Sequence, residues 1–268
     1  MPDPDHPLTP EPRRVPAAHG WYWVRDGWRL CARKPLTWLV FTLMTWLLLR
    51  VASLHPMLVV ATALLMPVLL AGWAGACRQA EAGRSIPVTA LFDGFRNGDR
   101  VRRLAAIGGI NLLGNLALMT LALTLGGEGL AEALSNPEAI TPEQAGALQS
   151  RLMTVLLVVA ALSVPLAMAV WFAPVGVMLD GLGGPAALMA SLRGIARNPL
   201  AFAVYGALLA AAGLLMVSLA GLGGLGLPGA LELAFWALLP LLVASVWSSY
   251  QDIFHGGPAF PPKSASPV

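Results

Sequence analysis

The sequence predicts an all-α membrane protein: six transmembrane helices forming three pseudo-repeated hairpins, each of the three led by a short amphipathic interfacial helix. Three observations carry this reading. Six apolar stretches, 36–54, 57–77, 104–125, 152–179, 200–222 and 230–250, have the length of membrane spans, since about 20 helical residues cross a bilayer core. Fifteen of the 17 basic residues fall on one side of those stretches. The hairpins also repeat in sequence. Composition agrees: 57% of residues are hydrophobic and only 12% charged, with a mean hydropathy of +0.69, whereas a soluble domain of this size carries about twice that charge.

Residues 1–20 are polar and proline-rich, with Asp3, Asp5 and Glu11 and no apolar core of a signal peptide. They read as a disordered cytoplasmic tail. Residues 21–255 form the six-helix transmembrane domain, and 256–268 read as a second disordered tail. Arg13, Arg14, Arg25, Arg29, Arg33 and Lys34 precede the first span. Arg78, Arg84, Arg96, Arg100, Arg102 and Arg103 lie between the second and third spans, Arg193 and Arg197 between the fourth and fifth, and Lys263 in the tail. Arg50 and Arg151 alone fall opposite. Lys and Arg stay in the cytoplasm, so both termini are expected inside a multi-pass protein of the bacterial inner membrane. Cys31 and Cys77 map to the same reducing side and have no metal-ligand spacing, which makes them packing residues.

Segment 60–87 aligns without gaps on 158–185, pairing Pro67 with Pro165, Trp73 with Trp171, Gly83 with Gly181 and Pro87 with Pro185. Shared Pro, Trp and Gly mean more here than shared Leu and Ala. Pro240 and Trp247 give a looser third copy. Ahead of each hairpin lies an amphipathic run, Trp21–Lys34, Pro87–Arg103 and Pro185–Asn198, and the first two mix aromatic and basic residues as helices in the headgroup plane do. Pro35 and Pro199 suit a first helical turn. Pro67, Pro165 and Pro240 should kink their helices, and Trp73, Trp171 and Trp247 fall where aromatic belts form.

The 128–151 connection is the sizeable outer loop. Thr141-Pro142-Glu143-Gln144 reads as a capping box, so the fourth helix is expected to run from 142 to 179, about 55 Å at about 1.5 Å per residue. The third helix should extend past Gly126 and Gly127 toward Ser135, with Asn136-Pro137 turning the chain.

No hydrolase, metalloprotease or phosphate-loop motif is present, so neither an enzyme activity nor a cofactor is expected. The candidate lipid headgroup contacts are Arg96, Arg100, Arg102 and Arg103, the densest basic cluster. The candidate intramembrane polar contacts are Asn111 and Asn115. These lie four residues apart on one helix face beside Gly108, which favours interhelical hydrogen bonds at a close contact over a substrate site. Arg50 and Glu232 sit near outer helix ends and can reach each other. Asp252 and His255 read as a polar helix end. The basic face points to membrane lipids, not nucleic acid, as the partner, with a protein partner or a second copy of the chain left open.

Trp28-Arg29-Leu30 with Lys34-Pro35-Leu36, Met66-Pro67 with Ala76-Cys77-Arg78, Leu91-Phe92-Asp93-Gly94-Phe95, Trp171-Phe172-Ala173-Pro174, Arg197-Asn198-Pro199 and Tyr250-Gln251-Asp252-Ile253-Phe254 carry a resemblance. Over about 20–255 the chain resembles an uncharacterised family of proteobacterial six-helix integral inner-membrane proteins. It is loosely similar to the membrane domain of glycerophosphodiester phosphodiesterases, without their catalytic domain. The resemblance implies fold and location and assigns no site. The expected role is non-enzymatic, organising lipid or partner proteins at the membrane. The alternative is a small transporter or channel built from three parallel hairpins, which a polar cavity at mid-membrane would favour.

Overall fold

The computed structural model describes residues 11–135 and 142–257, with the side chains of 128–148 and 150 outside that description. The described residues are helices and connections with no strand. In chain order the helices are α1 (His19–Arg33), α2 (Pro35–Ala52), α3 (Pro56–Glu81), the 3-10 helix η1 (Val88–Arg96), α4 (Gly98–Ser135), α5 (Pro142–Trp171), α6 (Ala173–Leu179), α7 (Gly184–Ala196), α8 (Pro199–Leu222) and α9 (Leu227–His255). Six segments are long and apolar enough to cross a membrane: α2, α3, Gly98–Gly127 of α4, Arg151–Leu179 across α5 and α6, α8, and α9. Each overlaps one span read from the sequence.

Prolines set the helix starts. Pro35, Pro56 and Pro199 each open a helix, where a missing N–H leaves no bond unmade. Pro67, Pro165 and Pro240 lie inside α3, α5 and α9. The expected single fourth helix from 142 to 179 is broken, however, and Pro174 is the cause. It cannot donate to Val170, and its ring crowds that carbonyl. The chain therefore steps out of the helix at Phe172 (φ −98°, ψ −11°) and restarts as α6. Ser191 of α7 repairs the ladder. Its hydroxyl donates to the Met168 carbonyl at 2.6 Å and accepts the Phe172 N–H at 2.9 Å, bridging the donor and acceptor that an unbroken helix would join directly.

Gly127 breaks α4 (φ 65°, ψ −167°), a conformation open essentially to glycine. The third helix thus reaches Ser135 as expected, but across a break. The Thr141 cap and the Asn136-Pro137 turn lie outside the described residues, as do residues 1–10 and 258–268 of the two expected tails.

Burial is lopsided. The end carrying α1, η1, α7 and most arginines, here the basic end, holds the packed core. The second half of α3, from Pro67 to Ala80, and that of α9, from Leu239 to Phe254, are the two largest contributors and supply nearly half of it. Trp38 stacks on Trp73 at 5.8 Å, Phe41 meets Trp73 edge-on, and Phe172 packs against Tyr250 and Phe254. Trp73 and Trp247 are each 1% exposed. They are core residues, not members of the surface aromatic belt that the sequence suggested. Trp73 donates to the Thr45 hydroxyl at 3.3 Å and Trp247 to Glu81 at 3.0 Å, as buried indoles require. Away from this end the apolar side chains face outward, as Leu54, Leu113, Leu156 and Leu222 do. Such a continuous apolar surface suits hydrocarbon and not water.

Three short helices each pack on a longer one. α1 lies on α9, η1 on α3, and α7 on α5. Backbones touch at glycines: Gly72 faces the Leu91 carbonyl and Gly94 the Val68 carbonyl, leaving no room for a Cβ on either side of the α3–η1 contact.

Candidate functional site at the basic end

The expected arginine cluster is present but divided. Asn97 caps α4, its side-chain oxygen accepting the Arg100 N–H at 3.1 Å. Arg100, Arg102 and Arg103 therefore sit within the helix, and the second lead-in ends at Arg96 instead of running to Arg103. Arg96 pairs with Asp93 at 3.0 Å, and Arg100 donates to the Asp93 carbonyl at 3.3 Å. These two guanidinium groups converge on one residue. Arg102 pairs with Asp99 at 3.0 Å and is largely exposed. Arg103 points elsewhere and donates to the Gly181 carbonyl at 2.6 Å in the α6–α7 turn. Four cations thus stand against two carboxylates, at a helix N-terminus that is itself electropositive.

Asn111 and Asn115 do not join helices. The Asn115 amide donates to the Asn111 side-chain oxygen at 3.0 Å and to the Asn111 carbonyl at 2.7 Å, all within α4. The expected close contact is real, since Gly108 rests on the Leu64 backbone of α3. Asn111 borders a cavity of about 260 Å³ between α3, α4, α5, α6 and α9, whose other lining residues, including Leu70, Ala167, Leu239 and Val243, are apolar apart from the indole N–H groups of Trp171 and Trp247. The Trp171 N–H is buried with no partner among the described residues.

The sequence reading missed the contacts of three carboxylates at the basic end, Asp252, Asp180 and Glu81, each accepting a hydrogen bond from another helix. Asp252 of α9 is 2% exposed. It accepts from Trp23 at 2.8 Å, meets His19 Nδ1 at 2.6 Å and pairs with Arg13. Asp180, just past α6, accepts from the Tyr250 hydroxyl and pairs with His255 at 3.3 Å. Glu81 takes Trp247. The polar end assigned to Asp252 and His255 as one unit is two separate sites. Asp26 is buried on α1, with Arg25 and Arg29 on one oxygen and no partner for the other among the described residues.

Residues 11–20 pack against Asp252 and the α7–α8 connection, so the disordered tail expected over 1–20 does not extend to them. Asn198 fixes them with both ends of its amide, accepting from Val15 N at 2.8 Å and donating to the Arg13 carbonyl at 3.0 Å. Arg197 donates to the Pro12 carbonyl at 2.8 Å, and Arg13 N to the Ile253 carbonyl at 2.9 Å. The available signal was Arg197-Asn198-Pro199 together with Tyr250–Phe254: two polar motifs at helix ends with no chemistry of their own to explain them.

At the opposite end Arg50 pairs with Glu232, which also accepts from Trp46 at 3.3 Å. Both charged groups are about half exposed, so the pair contributes little to stability. Cys31 on α1 is half-buried, and desolvation pushes its thiol up to about 12.

Six apolar helices with outward-facing leucines define a polytopic helical membrane protein. The chain is 32% identical over 242 residues to a probable inner membrane protein of Burkholderia thailandensis, covering 87% of this chain and 86% of the relative. It belongs to that family of inner-membrane proteins. No family profile matches the chain, and no solved structure matches it.

Proposed function

We propose that this is a non-enzymatic inner-membrane protein that organises anionic lipid at the cytoplasmic leaflet, with both termini and the basic end inside. The observation that carries the reading is the group Arg96, Arg100, Arg102 and Arg103, which two carboxylates leave under-neutralised beside the exposed Phe92 and Phe95 of η1. Each cation near an anionic surface contributes about 1 kcal/mol.

The three-hairpin repeat with interfacial lead-in helices belongs to the same proposal. Its support is cyclic: α1 on α9, η1 on α3 and α7 on α5 place each lead-in against the return helix of the preceding hairpin. On α1, Trp21, Trp28 and Arg29 face outward while Trp23, Gly27 and Leu30 are buried, which suits a helix lying between core and headgroups. The transporter reading has one supporting observation, the cavity beside Asn111. Its predominantly apolar lining favours a lipid-organising bundle over a hydrated path.

The test is native mass spectrometry of the protein from mild detergent, comparing wild type with a variant carrying Gln at all four arginines. Retention of anionic lipid should fall sharply while neutral lipid is unchanged. Topology is checked separately, because these residues also hold the loop inside. Equal retention with intact topology would reduce the cluster to an orientation signal.

A further inference from the structure

The cavity beside Asn111 lies among the three helices with internal prolines, α3, α5 and α9, and α4 and α6 complete its wall. α3 packs on α4, α4 on α5 and α3 on α9, whereas α5 and α9 make no comparable contact among the described residues. The wall is therefore open between α5 and α9. Toward the basic end this opening is closed, where Trp171 meets Tyr205 edge-on at 6.4 Å and Phe172 meets Tyr250 at 5.6 Å. Farther along α5, Ala167 lines the cavity and is itself exposed, as is Val164 one turn away. An opening between two apolar spans admits molecules from the bilayer, not from water.

Two lining residues carry donors with no partner among the described residues. The Trp171 indole N–H is buried and unpaired. The Asn111 side-chain oxygen accepts from Asn115, and no acceptor meets its own amide nitrogen. Gly114 of α4 packs on Leu166 of α5. One turn back along α4 and one turn on along α5, Asn111 therefore stands level with Val170, beside Trp171. The other indole, that of Trp247, already donates to Glu81. A buried donor without an acceptor is costly. A water accepting from both donors would find nothing in the apolar lining to take its own protons. An anion would find no countercharge, since no ionisable side chain lines the cavity among the described residues.

A neutral carbonyl oxygen meets these conditions, and the walls specify its carrier. Trp171 and Trp247 both line the space, and indoles pack well on flat rings. A cavity of about 150 Å³ encloses benzene, so one of about 260 Å³ admits a substituted ring. A phospholipid ester would bring glycerol and phosphate to a place with nothing to solvate them. We propose that the cavity binds the head of a prenylquinone. One ring carbonyl accepts from Trp171 and Asn111, the ring lies against the indoles, and the apolar tail leaves between α5 and α9. This site goes beyond lipid organisation and does not depend on the arginine cluster.

The test is thermal stabilisation of the full-length protein in mild detergent by decylubiquinone. The comparison is decylbenzene, which has the tail and a ring but no carbonyl. Decylubiquinone should stabilise saturably, and decylbenzene should bind about thirtyfold more weakly for want of two hydrogen bonds. Trp171→Phe keeps a ring and removes the N–H, so it should weaken decylubiquinone about fivefold and leave decylbenzene unchanged. Ala167→Trp should fill the opening and abolish binding of both. Leu215→Trp, on the exposed face of α8, and the four-arginine variant should bind as wild type does. Absence of saturable stabilisation, or equal affinity for the two ligands, would overturn the proposal. Competition by dioctanoyl phosphatidylcholine at equal affinity would give the site to a lipid ester and overturn the quinone. Should Ala167→Trp fail to fold, Trp171→Phe decides alone, and unchanged affinity there would overturn the carbonyl contact.

Discussion

Asp252 is the residue on which most of the basic end converges. Its carboxylate takes Trp23, His19 and Arg13, and its neighbour's carbonyl takes the Arg13 N–H. Asp252→Asn should therefore loosen residues 11–17 before it loosens the bundle. A loss of about 1 to 2 kcal/mol is expected, at the low end for charged hydrogen bonds because Arg13 is partly exposed. Limited trypsin digestion reads this out: cleavage at Arg13 and Arg14 should be slow in wild type and fast in the variant. Cys31 gives a second prediction. Its thiol is pushed up to about 12 by burial, while an unfolded thiol titrates at about 8.5. A raised folded value favours the protonated form. That contribution to stability is complete below about pH 8.5 and is lost as pH climbs toward 12. At about pH 8 iodoacetamide should label Cys31 slowly in the native protein and quickly in denaturant. Labelling at equal rates would show that the thiol is not desolvated. Packing was legible for Cys31, but the convergence on Asp252 was not. A carboxylate at a helix end looks the same whether it is solvated or buried, and only the tertiary meeting of residues 13, 19, 23 and 252 separates the two.

At the scale of elements, period and length were the readable signals. Six apolar runs of span length became six helices because each is too long and too apolar for another state, and Pro35 and Pro199 marked helix starts because their chemistry is local. The fourth span was misread for an equally local reason. Pro165 was weighed as a kink, while Pro174, further along the same run, breaks the helix. Ser191 makes that break tolerable, and its contribution is separable. Ser191→Ala should leave the Met168 carbonyl and Phe172 N–H unpaired in a buried place, destabilising the protein by about 1 to 3 kcal/mol. Adding Pro174→Ala should recover part of that loss by allowing the helix to run through. Thermal unfolding in detergent measures both, and additive losses would show that Ser191 does not act on the break. The α3–η1 contact was invisible in the sequence, since Gly94 and Gly98 look alike there. Gly94→Ala meets the Val68 backbone, whereas Gly98→Ala meets nothing within 4 Å. The first should cost about 1 to 3 kcal/mol by overpacking. The second should be close to neutral.

For the molecule as a whole, the charge pattern and the packing point the same way. The core is concentrated at the basic end, and the rest of the bundle presents leucines outward, as a protein does when lipid replaces water as its solvent. The candidate arginines were legible as a cluster because positive charge is conspicuous in a chain with 12% charged residues. Their division among Asp93, Asp99 and Gly181 was not, because it depends on where α6 ends and how η1 docks. Lipid organisation at the cytoplasmic leaflet requires the basic end to face the cytoplasm. Single cysteines at Gly98 and at the exposed Gln149, treated in intact cells with a membrane-impermeant maleimide, test that requirement most directly. Both native thiols sit near the protected end, and Cys77 is fully buried, so the background is low. Gln149→Cys should label from outside, and Gly98→Cys only after the membrane is opened. Labelling of Gly98→Cys in intact cells, with Gln149→Cys protected, would reverse the molecule in the membrane and contradict the account.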